Sequence, residues 1–301
     1  MKKTIILIFI ILAATASAQV IEVQSINKVA TPGSEMAKQV AAISPEGDYL
    51  LLCSQSQDGL MKLDLATGAS DVLTMARGAG FGATVSDDGN TIVYQEVTIN
   101  PEHLLMREVK TFDLTTSKIK EFVAPTRNLQ GIDIVNGNVT AVVDNKVKTH
   151  SIVPGAITRP IVSNNNLRLM LTINGNTRQF APNGDLYNYI WASISPNGKR
   201  VLYYVSELGC YTCRPDGSDM IELGELRAPR WLDDNTVVGM RDYDNGYTIT
   251  ASSIVAKTLD GTEQIVTDDD MIALFPQVSA KAGKIAFSTI EGDIFIINFT
   301  K

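Results

Sequence analysis

The sequence contains few of the residue types that carry catalysis or bind metals. Among 301 residues there are two histidines, His103 and His150, and three cysteines. Neither histidine has a second ligand at helical or hairpin spacing, and the Gly-x-Ser-x-Gly nucleophile elbow of hydrolases does not occur. We therefore predict no catalytic residue, no metal site and no cofactor.

Two of the three cysteines, Cys210 and Cys213, form a Cys-x-x-Cys pair that invites a zinc or redox interpretation. The sequence offers no second pair and no nearby histidine pair to complete four zinc ligands. Residues three apart on a strand face opposite sides and lie ~10 Å apart, whereas a disulfide needs Cα atoms within ~7 Å. We therefore predict two packed thiols.

Acidic clusters in the sequence are explained better by turns than by chemistry. Asp87-Asp88 and Asp233-Asp234 fall between predicted strands, where aspartate favours the backbone shape of a turn. The acidic segment 242–246 lacks the third carboxylate and the closing glutamate of an EF-hand. It predicts the tip of a hairpin, so no calcium site is expected there.

A long apolar run occurs at the N-terminus. A basic Met-Lys-Lys start precedes the uncharged apolar residues 5–14, and Ala-Ser-Ala at residues 16–18 fits a cleavage site. About ten apolar residues are too few to cross a ~30 Å bilayer as a helix. We predict a signal peptide over residues 1–18, cleaved after Ala18, with an uncleaved anchor as the alternative. Because Gln19 is not cysteine, a lipoprotein anchor is not expected.

The charge balance is acidic. The formal net charge is −7, and loss of the two lysines of the signal peptide changes it to −9. Nucleic acids and anionic lipids bind clustered lysine and arginine, so neither is expected as a partner. We predict a periplasmic or secreted chain with no membrane insertion after signal cleavage.

One structural unit repeats along the chain. Residues 191–223 predict a short strand, a Ser-Pro-Asn-Gly turn, an apolar strand, a second turn and a third strand. The landmarks of the first turn are separated by 42, 109, 37 and 47 residues, and the 109 holds a weaker third unit around Asn136. This spacing is typical of propeller blades of ~40–50 residues. The landmarks are Ser44, Ser86, Ser195, Leu232 and Ser279.

The number of units depends on how one segment is interpreted. Six units are found most readily, but residues 163–190 fit the register poorly. They predict either an extra hairpin on the third unit or a seventh, eroded unit. We therefore expect six blades, with seven as the alternative.

The two ends of the chain complement one another. The last unit stops after three strands, and residues 20–30 form a spare N-terminal strand. Pairing the two closes a ring and removes two exposed sheet edges. The nearly continuous apolar strands, such as Val201–Val205, suit a sheet covered on both faces. We predict an all-β propeller over residues 19–301, as a single domain.

These motifs resemble the six-bladed TolB-like β-propeller, a relative of WD-repeat proteins found in bacterial envelopes. That family has a Trp/Phe-Ser-Pro-Asp-Gly start to each blade and an Asp-Gly turn before Leu-Thr. The resemblance implies an envelope protein, a peptide or a glycan as the partner. The matching segments are residues 43–47, 85–89, 194–198 and 214–218, with the pair Leu73-Thr74.

Function on such rings resides in the loops that lead into each first strand, because those loops converge near the axis. Aromatic and arginine side chains are the usual anchors of recognition sites. For Phe81, Tyr189 and Phe275, packing between blades is the alternative. The candidate binding residues are Arg77, Phe81, Arg127, Gln130, Tyr187, Tyr189, Arg227, Arg230 and Phe275.

Three functions remain open from the sequence. The first is an exported, non-enzymatic binding propeller that recognises its partner through the loop rim. The second is a carbohydrate-active enzyme, a polysaccharide lyase or glycoside hydrolase, with its site at the propeller axis. The third is a structural scaffold without a small ligand.

Overall fold

The computed structural model describes residues 19–151 and 159–301. The predicted signal peptide, residues 1–18, lies outside the described residues. The described chain is all β apart from one short 3-10 helix, Asp269–Met271. No helix within those two ranges has the length and hydrophobicity needed to cross a membrane.

The strands form seven antiparallel sheets, which we number as blades in chain order. Blade 1 consists of β2 (Gln39–Ile43), β3 (Tyr49–Cys53), β4 (Leu60–Asp64) and β5 (Ser70–Thr74). Blade 2 consists of β6 (Thr84–Val85), β7 (Thr91–Ile99), β8 (Leu105–Asp113) and β9 (Lys118–Thr126). Blade 3 consists of β10 (Leu129–Val135), β11 (Asn138–Val143) and β12 (Lys146–Ser151).

The second half of the chain supplies the other four blades. Blade 4 consists of β13 (Ile161–Asn165), β14 (Arg168–Ile173) and β15 (Asn176–Gln179). Blade 5 consists of β16 (Tyr189–Ile194), β17 (Val201–Val205), β18 (Gly209–Cys213) and β19 (Ile221–Gly224). Blade 6 consists of β20 (Arg227–Trp231), β21 (Thr236–Asp244), β22 (Ile249–Thr258) and β23 (Glu263–Ile265). Blade 7 consists of β24 (Ala273–Ser279), β25 (Lys284–Thr289), β26 (Ile294–Thr300) and the N-terminal β1 (Glu22–Lys28).

The all-β propeller is confirmed, but the preference for six blades was wrong. Blade 4, a separate sheet over residues 161–179, includes most of the segment 163–190 that fitted the repeat poorly. The first strands of the seven blades lie side by side in ring order, with β24 against β2. The seventh, eroded unit that was the alternative is therefore the correct interpretation.

In blades 1, 2, 5 and 6 the turns after the first strands lie on one face of the ring. The Tyr49 hydroxyl of blade 1 donates to the carbonyl oxygen of Gly89 in blade 2 at 2.8 Å. The backbone N–H of Asn197 in blade 5 likewise donates to Asp234 Oδ1 in blade 6 at 2.8 Å. We call the opposite face, where the chain leads into these first strands, the loop face.

Buried serines explain the repeated Ser-x-x-Gly turn. The Oγ atoms of Ser44, Ser86 and Ser195 accept the backbone N–H of the residue five positions later, at 3.1, 2.8 and 2.9 Å. All three serines are buried. Each serine thus satisfies a backbone donor that the turn would otherwise leave unpaired in the interior.

Blade 4 runs in the opposite direction to blade 5. Just before β13, the Arg159 Nη2 atom donates to the carbonyl oxygen of Ser195, just after β16, at 3.0 Å. Near the end of β13, Asn164 Nδ2 donates to the carbonyl oxygen of Tyr189, the first residue of β16, at 2.7 Å. The first strands of the two blades are therefore antiparallel. Blades 3 and 4 each have three strands in the described chain, and an odd number reverses the chain direction.

The N-terminal strand closes the ring, as predicted. β1 pairs antiparallel with β26, from Glu22 opposite Thr300 to Lys28 opposite Phe295. Just before β1, Ile21 is 1% exposed in the core between blades 6 and 7. The side chain of Gln264 in blade 6 accepts the backbone N–H groups of Val20 and Ile21. The N-terminal segment is thus held by blade 7, through β26, and by blade 6, through Gln264.

The Cys-x-x-Cys pair consists of free, buried thiols. Cys210 packs in the core between blades 5 and 6, whereas Cys213 packs in the core between blades 4 and 5. The two side chains therefore face opposite sides of β18, as the strand periodicity predicted. Burial raises the pKa of Cys213 to about 11 and that of Cys53 to about 12, and it also raises the pKa of Cys210.

We expect the folded protein to resist thiol reagents, because the thiolate is the reactive form and burial suppresses it. At pH 8 an aromatic disulfide reagent should label fewer than one thiol per folded chain and all three in denaturant. Absorbance of the released thiol measures this, and the denatured sample is the internal control. Rapid labelling of Cys210 or Cys213 in the folded protein would contradict the burial described here.

Candidate functional site

The structure separates the nine predicted binding residues by exposure. Arg77, Phe81 and Arg127 are exposed, and Tyr189 is buried. The half-buried residues are Gln130, Tyr187, Arg227, Arg230 and Phe275.

Two of the predicted aromatic residues pack inside the ring. Tyr189 is 1% exposed, and its hydroxyl donates to the carbonyl oxygen of Gly184 at 3.0 Å while accepting the N–H of Asn183 at 3.1 Å. Phe275 packs against the core of blades 6 and 7 from a bulge in β24, where its φ is +53°. Both side chains are engaged in packing, so they offer little surface to a partner.

Arg227 is engaged in the interface between blades 5 and 6. The pKa of Arg227 is raised, mainly by a hydrogen bond with the Tyr204 hydroxyl. Burial acts to lower this pKa, and the Asp242 carboxylate acts to raise it. Arg227 Nη1 lies 2.7 Å from Asp242 Oδ2, and the Asp242 side chain is 1% exposed. The Tyr204 hydroxyl also donates to Glu225 at 3.0 Å. Arg227 therefore balances a buried carboxylate.

The exposed candidates surround blade 2 on the loop face. Phe81 is 60% exposed, and so is Ile99 at the tip of the β7–β8 hairpin, where Leu105 is 41% exposed. Arg127 directly follows β9, whose last residue pairs with β8. Neither Arg77 nor Arg127 forms an ion pair with any described residue. We call this set the blade-2 corner: Arg77, Phe81, Ile99, Leu105 and Arg127.

Close contacts hold the loop that carries Phe81. The backbone N–H of Val97 on β7 donates to the carbonyl oxygen of Arg77 at 2.8 Å, and Asp58 Oδ1 accepts the N–H of Gly78 at 2.7 Å. A Cβ on Gly78, whose φ is +73°, would lie 2.6 Å from Val97 Cγ2. Glycine is therefore needed for the loop to approach β7 so closely. The loop is fixed on both sides, so it presents Phe81 from a rigid support.

The axis of the ring carries a second group of polar side chains. Arg230 Nε donates to Gln277 Oε1 at 3.3 Å, and burial lowers the pKa of Arg230. No described carboxylate forms an ion pair with Arg230. Gln277 also lines a cavity of about 330 Å³ together with Ala42 and Thr84. First strands from blades 7, 1 and 2 meet at this cavity.

Sequence reasoning missed Asp133, an aspartate on the first strand of blade 3. Its signal was a lone carboxylate between Ile132 and Ile134, in the apolar second half of the strand. Asp133 is exposed to solvent, but the protein around it limits the hydration of its charged form, and this raises its pKa to about 6. The hydrogen bond from the Ile134 N–H and the charge of Arg159 act in the opposite direction but are smaller. A carboxyl group that titrates this high is suited to holding a proton near neutral pH.

We expect the stabilising effect of Asp133 to depend on pH. Because its pKa rises on folding from 3.8 to about 6, the folded state favours the protonated form. Its contribution to stability is therefore greatest below about pH 4 and is lost as the pH rises through 6. Denaturant unfolding of the wild type and Asp133→Asn at pH 4, 5, 6 and 7 measures this. The free energy of unfolding of the wild type minus that of the variant should fall as the pH rises. A difference that stays constant would contradict the raised pKa.

Metal ligands are not clustered in the described chain. No three His, Cys, Asp or Glu side chains within residues 19–151 and 159–301 lie close enough to hold a metal ion. His103 is exposed in the β7–β8 loop, and His150 is exposed on β12.

Comparison with known proteins identifies the fold. No protein-family model and no curated protein matches the chain. A TolB candidate from Agrobacterium tumefaciens is 14% identical over 86% of this chain and 89% of its own, with a TM-score of 0.52. TolB from Acinetobacter baumannii is 13% identical over 76% of this chain and 54% of its own, with a TM-score of 0.51. The chain is similar to both in fold, that of a β-propeller.

The chain is also similar in fold to an enzyme. A streptogramin B lyase is 10% identical, covers 92% of this chain and 98% of its own, and has a TM-score of 0.51. At such low identities the similarity concerns the fold alone. The function has to be argued from this propeller's own side chains.

Proposed function

We propose that this chain is an exported, non-enzymatic binding propeller that holds an envelope protein or peptide on the blade-2 corner of its loop face. The carrying observation is Phe81, which is 60% exposed on a rigid loop at the end of blade 2 that also carries two exposed aliphatic side chains and two arginines without ion pairs. Aromatic and arginine residues at the centre of such a patch supply most of the binding free energy in protein interfaces.

The chemistry of the corner favours a protein partner over a glycan. Ile99 and Leu105 are exposed aliphatic side chains, and a sugar hydroxyl placed against them would lose its hydrogen bonds to water. An apolar side chain of a protein or peptide loses nothing there and gains from burial. Arg77 and Arg127 suit carboxylates of the partner. Export rests on the predicted signal peptide, and the TolB-like fold is consistent with it.

A capture experiment tests the corner. Immobilised protein carrying Phe81→Ala with Arg127→Ala should capture at least tenfold less of its partner from a solubilised envelope fraction than the wild type, because it lacks the aromatic anchor and one charge. Quantitative mass spectrometry of the captured proteins gives the ratio. The matched control is Tyr247→Ala, because Tyr247 is 95% exposed on the β21–β22 loop of blade 6, away from the corner. Equal capture by all three proteins would exclude the corner as the binding site.

The enzymatic alternative has one observation in its favour. Asp133, with a pKa of about 6, lies on an axis strand and could act as a general acid. A panel of polysaccharides assayed for new reducing ends or unsaturated products tests it, with Asp133→Asn as the control. Turnover that disappears in Asp133→Asn would favour the enzyme. If no polysaccharide in the panel gives a product, the binding propeller is the conclusion.

A further inference from the structure

Lysines gather on two facing strands of this acidic protein. On β12 the residues Lys146, Lys148 and His150 alternate with Val147, which packs toward the core of blades 3 and 4. Alternation therefore points the two lysines and the histidine the other way, toward blade 2.

The strand that faces them carries a matching row. On β9, Lys118 pairs with Asp113 and Lys120 with Thr111, whereas Ile119 pairs with Phe112. Phe112 packs in the core between blades 1 and 2, so Ile119 shares that side. Lys118 and Lys120 therefore lie on the side that faces blade 3. Residues two apart on a strand are about 6.6 Å apart, which gives each wall a row of regularly spaced charge.

A cleft separates the two rows. Its volume is about 380 Å³, and its lining includes Lys120 from β9 and Lys148 from β12, with the hydroxyl-bearing Thr111 and Thr149. The rings of Phe122 and His150, which also line it, are tilted by 49° to each other with their centroids 6.2 Å apart. We call this space the basic cleft.

The lysines of the basic cleft have no carboxylate partners. None of the four forms an ion pair with a described residue, although the chain as a whole has a net charge of −7. Glu121 also lines the cleft, and Asp113 lies at its end. The Asp113 carboxylate already accepts hydrogen bonds from Thr115 and Thr116 of its own turn. The two lysines that line the cleft, Lys120 and Lys148, thus outnumber its one carboxylate, and Lys118 and Lys146 extend the two rows along β9 and β12.

We propose that the basic cleft between blades 2 and 3 binds a linear anionic polysaccharide. Its cations lie on two facing walls, so a thin chain that enters the cleft can contact both rows at once. Lysine is a point charge that does not require the planar geometry of a particular anion, so carboxylates repeated along a sugar chain suit it. Thr111, whose side chain lies on the same side as that of Lys120, supplies a hydroxyl partner for sugar hydroxyls.

Two other polyanions fit the cleft less well. A flat lipid bilayer cannot follow the charges into a cleft. Single-stranded nucleic acid binds by stacking its bases on open aromatic faces, but Phe122 is half-buried against the core of blades 2 and 3. The polysaccharide site lies on the side wall of the ring and does not involve the blade-2 corner.

Calorimetric titration with polygalacturonate tests the proposal, with the fully methyl-esterified polymer as the uncharged probe. The wild type should bind polygalacturonate but not the ester, and more weakly as salt increases. Lys120→Gln with Lys148→Gln should bind at least tenfold more weakly. The matched control removes the same charge elsewhere, through Lys28→Gln with Lys199→Gln, and should bind within twofold of the wild type. Thermal unfolding of each variant confirms that it folds.

Several results would overturn the proposal. Equal binding of the ester would show that charge is not recognised, and equal losses in both double variants would show that only total charge matters. Binding of anionic vesicles or nucleic acid with the same lysine dependence, without binding of polygalacturonate, would assign the cleft to another class of ligand. If Lys120→Gln with Lys148→Gln binds like the wild type but self-associates, these lysines protect strand edges instead.

Discussion

A protein that begins at Val29, without β1, should unfold at a temperature at least about 10 °C below that of the protein that begins at Gln19. The truncation removes Val20 and Ile21 from the core, which accounts for about 4 kcal/mol by burial alone. It also leaves the β26 edge without a partner along its whole length. These losses are large against a typical total stability of about 5–15 kcal/mol.

Differential scanning fluorimetry measures the two melting temperatures. The control is to add a synthetic peptide of residues 19–30 to the truncated protein. Because the missing strand binds β26 through backbone hydrogen bonds, the peptide should restore part of the lost stability, increasingly with its concentration. A truncated protein that melts within 2–3 °C of the wild type would show that β1 does not hold the ring together.

Gly283→Ala should lower the free energy of unfolding by about 2–4 kcal/mol. Gly283 has a φ of +61°, and a Cβ there would lie 2.5 Å from the carbonyl oxygen of Phe299 on β26. The left-handed backbone alone costs an alanine about 1–2 kcal/mol. The rest of the loss comes from the contact, because the carbonyl belongs to the main chain of a paired strand and cannot move without disturbing it.

A second glycine separates these two causes. Gly68 has a φ of +73° with no atom within 4 Å of a Cβ. Gly68→Ala should therefore cost only the backbone term, about 1–2 kcal/mol. Urea denaturation of both variants gives the comparison. Equal losses would show that the closing blade yields to the added methyl group without strain.

The architecture could be predicted because the turns and the apolar strands are local features. The Ser-x-x-Gly turn of Ser44 marks where a first strand ends, and its buried hydroxyl explains why serine is used there. All five residues of β3 and of β17 are buried, as a strand covered on both faces requires. The spare N-terminal strand predicted the closure, because an unpaired edge in the last blade needs a partner.

The seventh blade could not be counted from the repeat. Blade 4 has no Ser-x-x-Gly turn, since β13 leads into β14 through Asn166 and Leu167, which both have positive φ. Its first strand also runs opposite to that of blade 5, so the turn after this strand lies on the loop face and not on the face of the serine turns. A search that expects one repeated direction therefore misses it.

The candidate site could be predicted only by location. The loops before the first strands were expected to hold it, but the pattern gives no sign that Tyr189 is buried and Phe81 exposed. That difference depends on how the chain folds around Tyr189: its ring packs against Leu169 and Leu171 of blade 4, and the preceding loop supplies Asn183 and Gly184 as partners for its hydroxyl. Likewise, Asp133 acquires its high pKa from protein packed around the axis, which no local pattern encodes.

The reversed direction of blade 4 constrains how this protein can change in evolution. If one of the two three-stranded blades were deleted, the first strand of every later blade would run in the opposite direction. The serine turns of those blades would then lie on the loop face, and their loops on the other face. The two blades must therefore be gained or lost together, or one must acquire a strand as the other disappears. A relative that lacks the pair would keep five blades of one orientation, with its N-terminal strand still able to complete the ring.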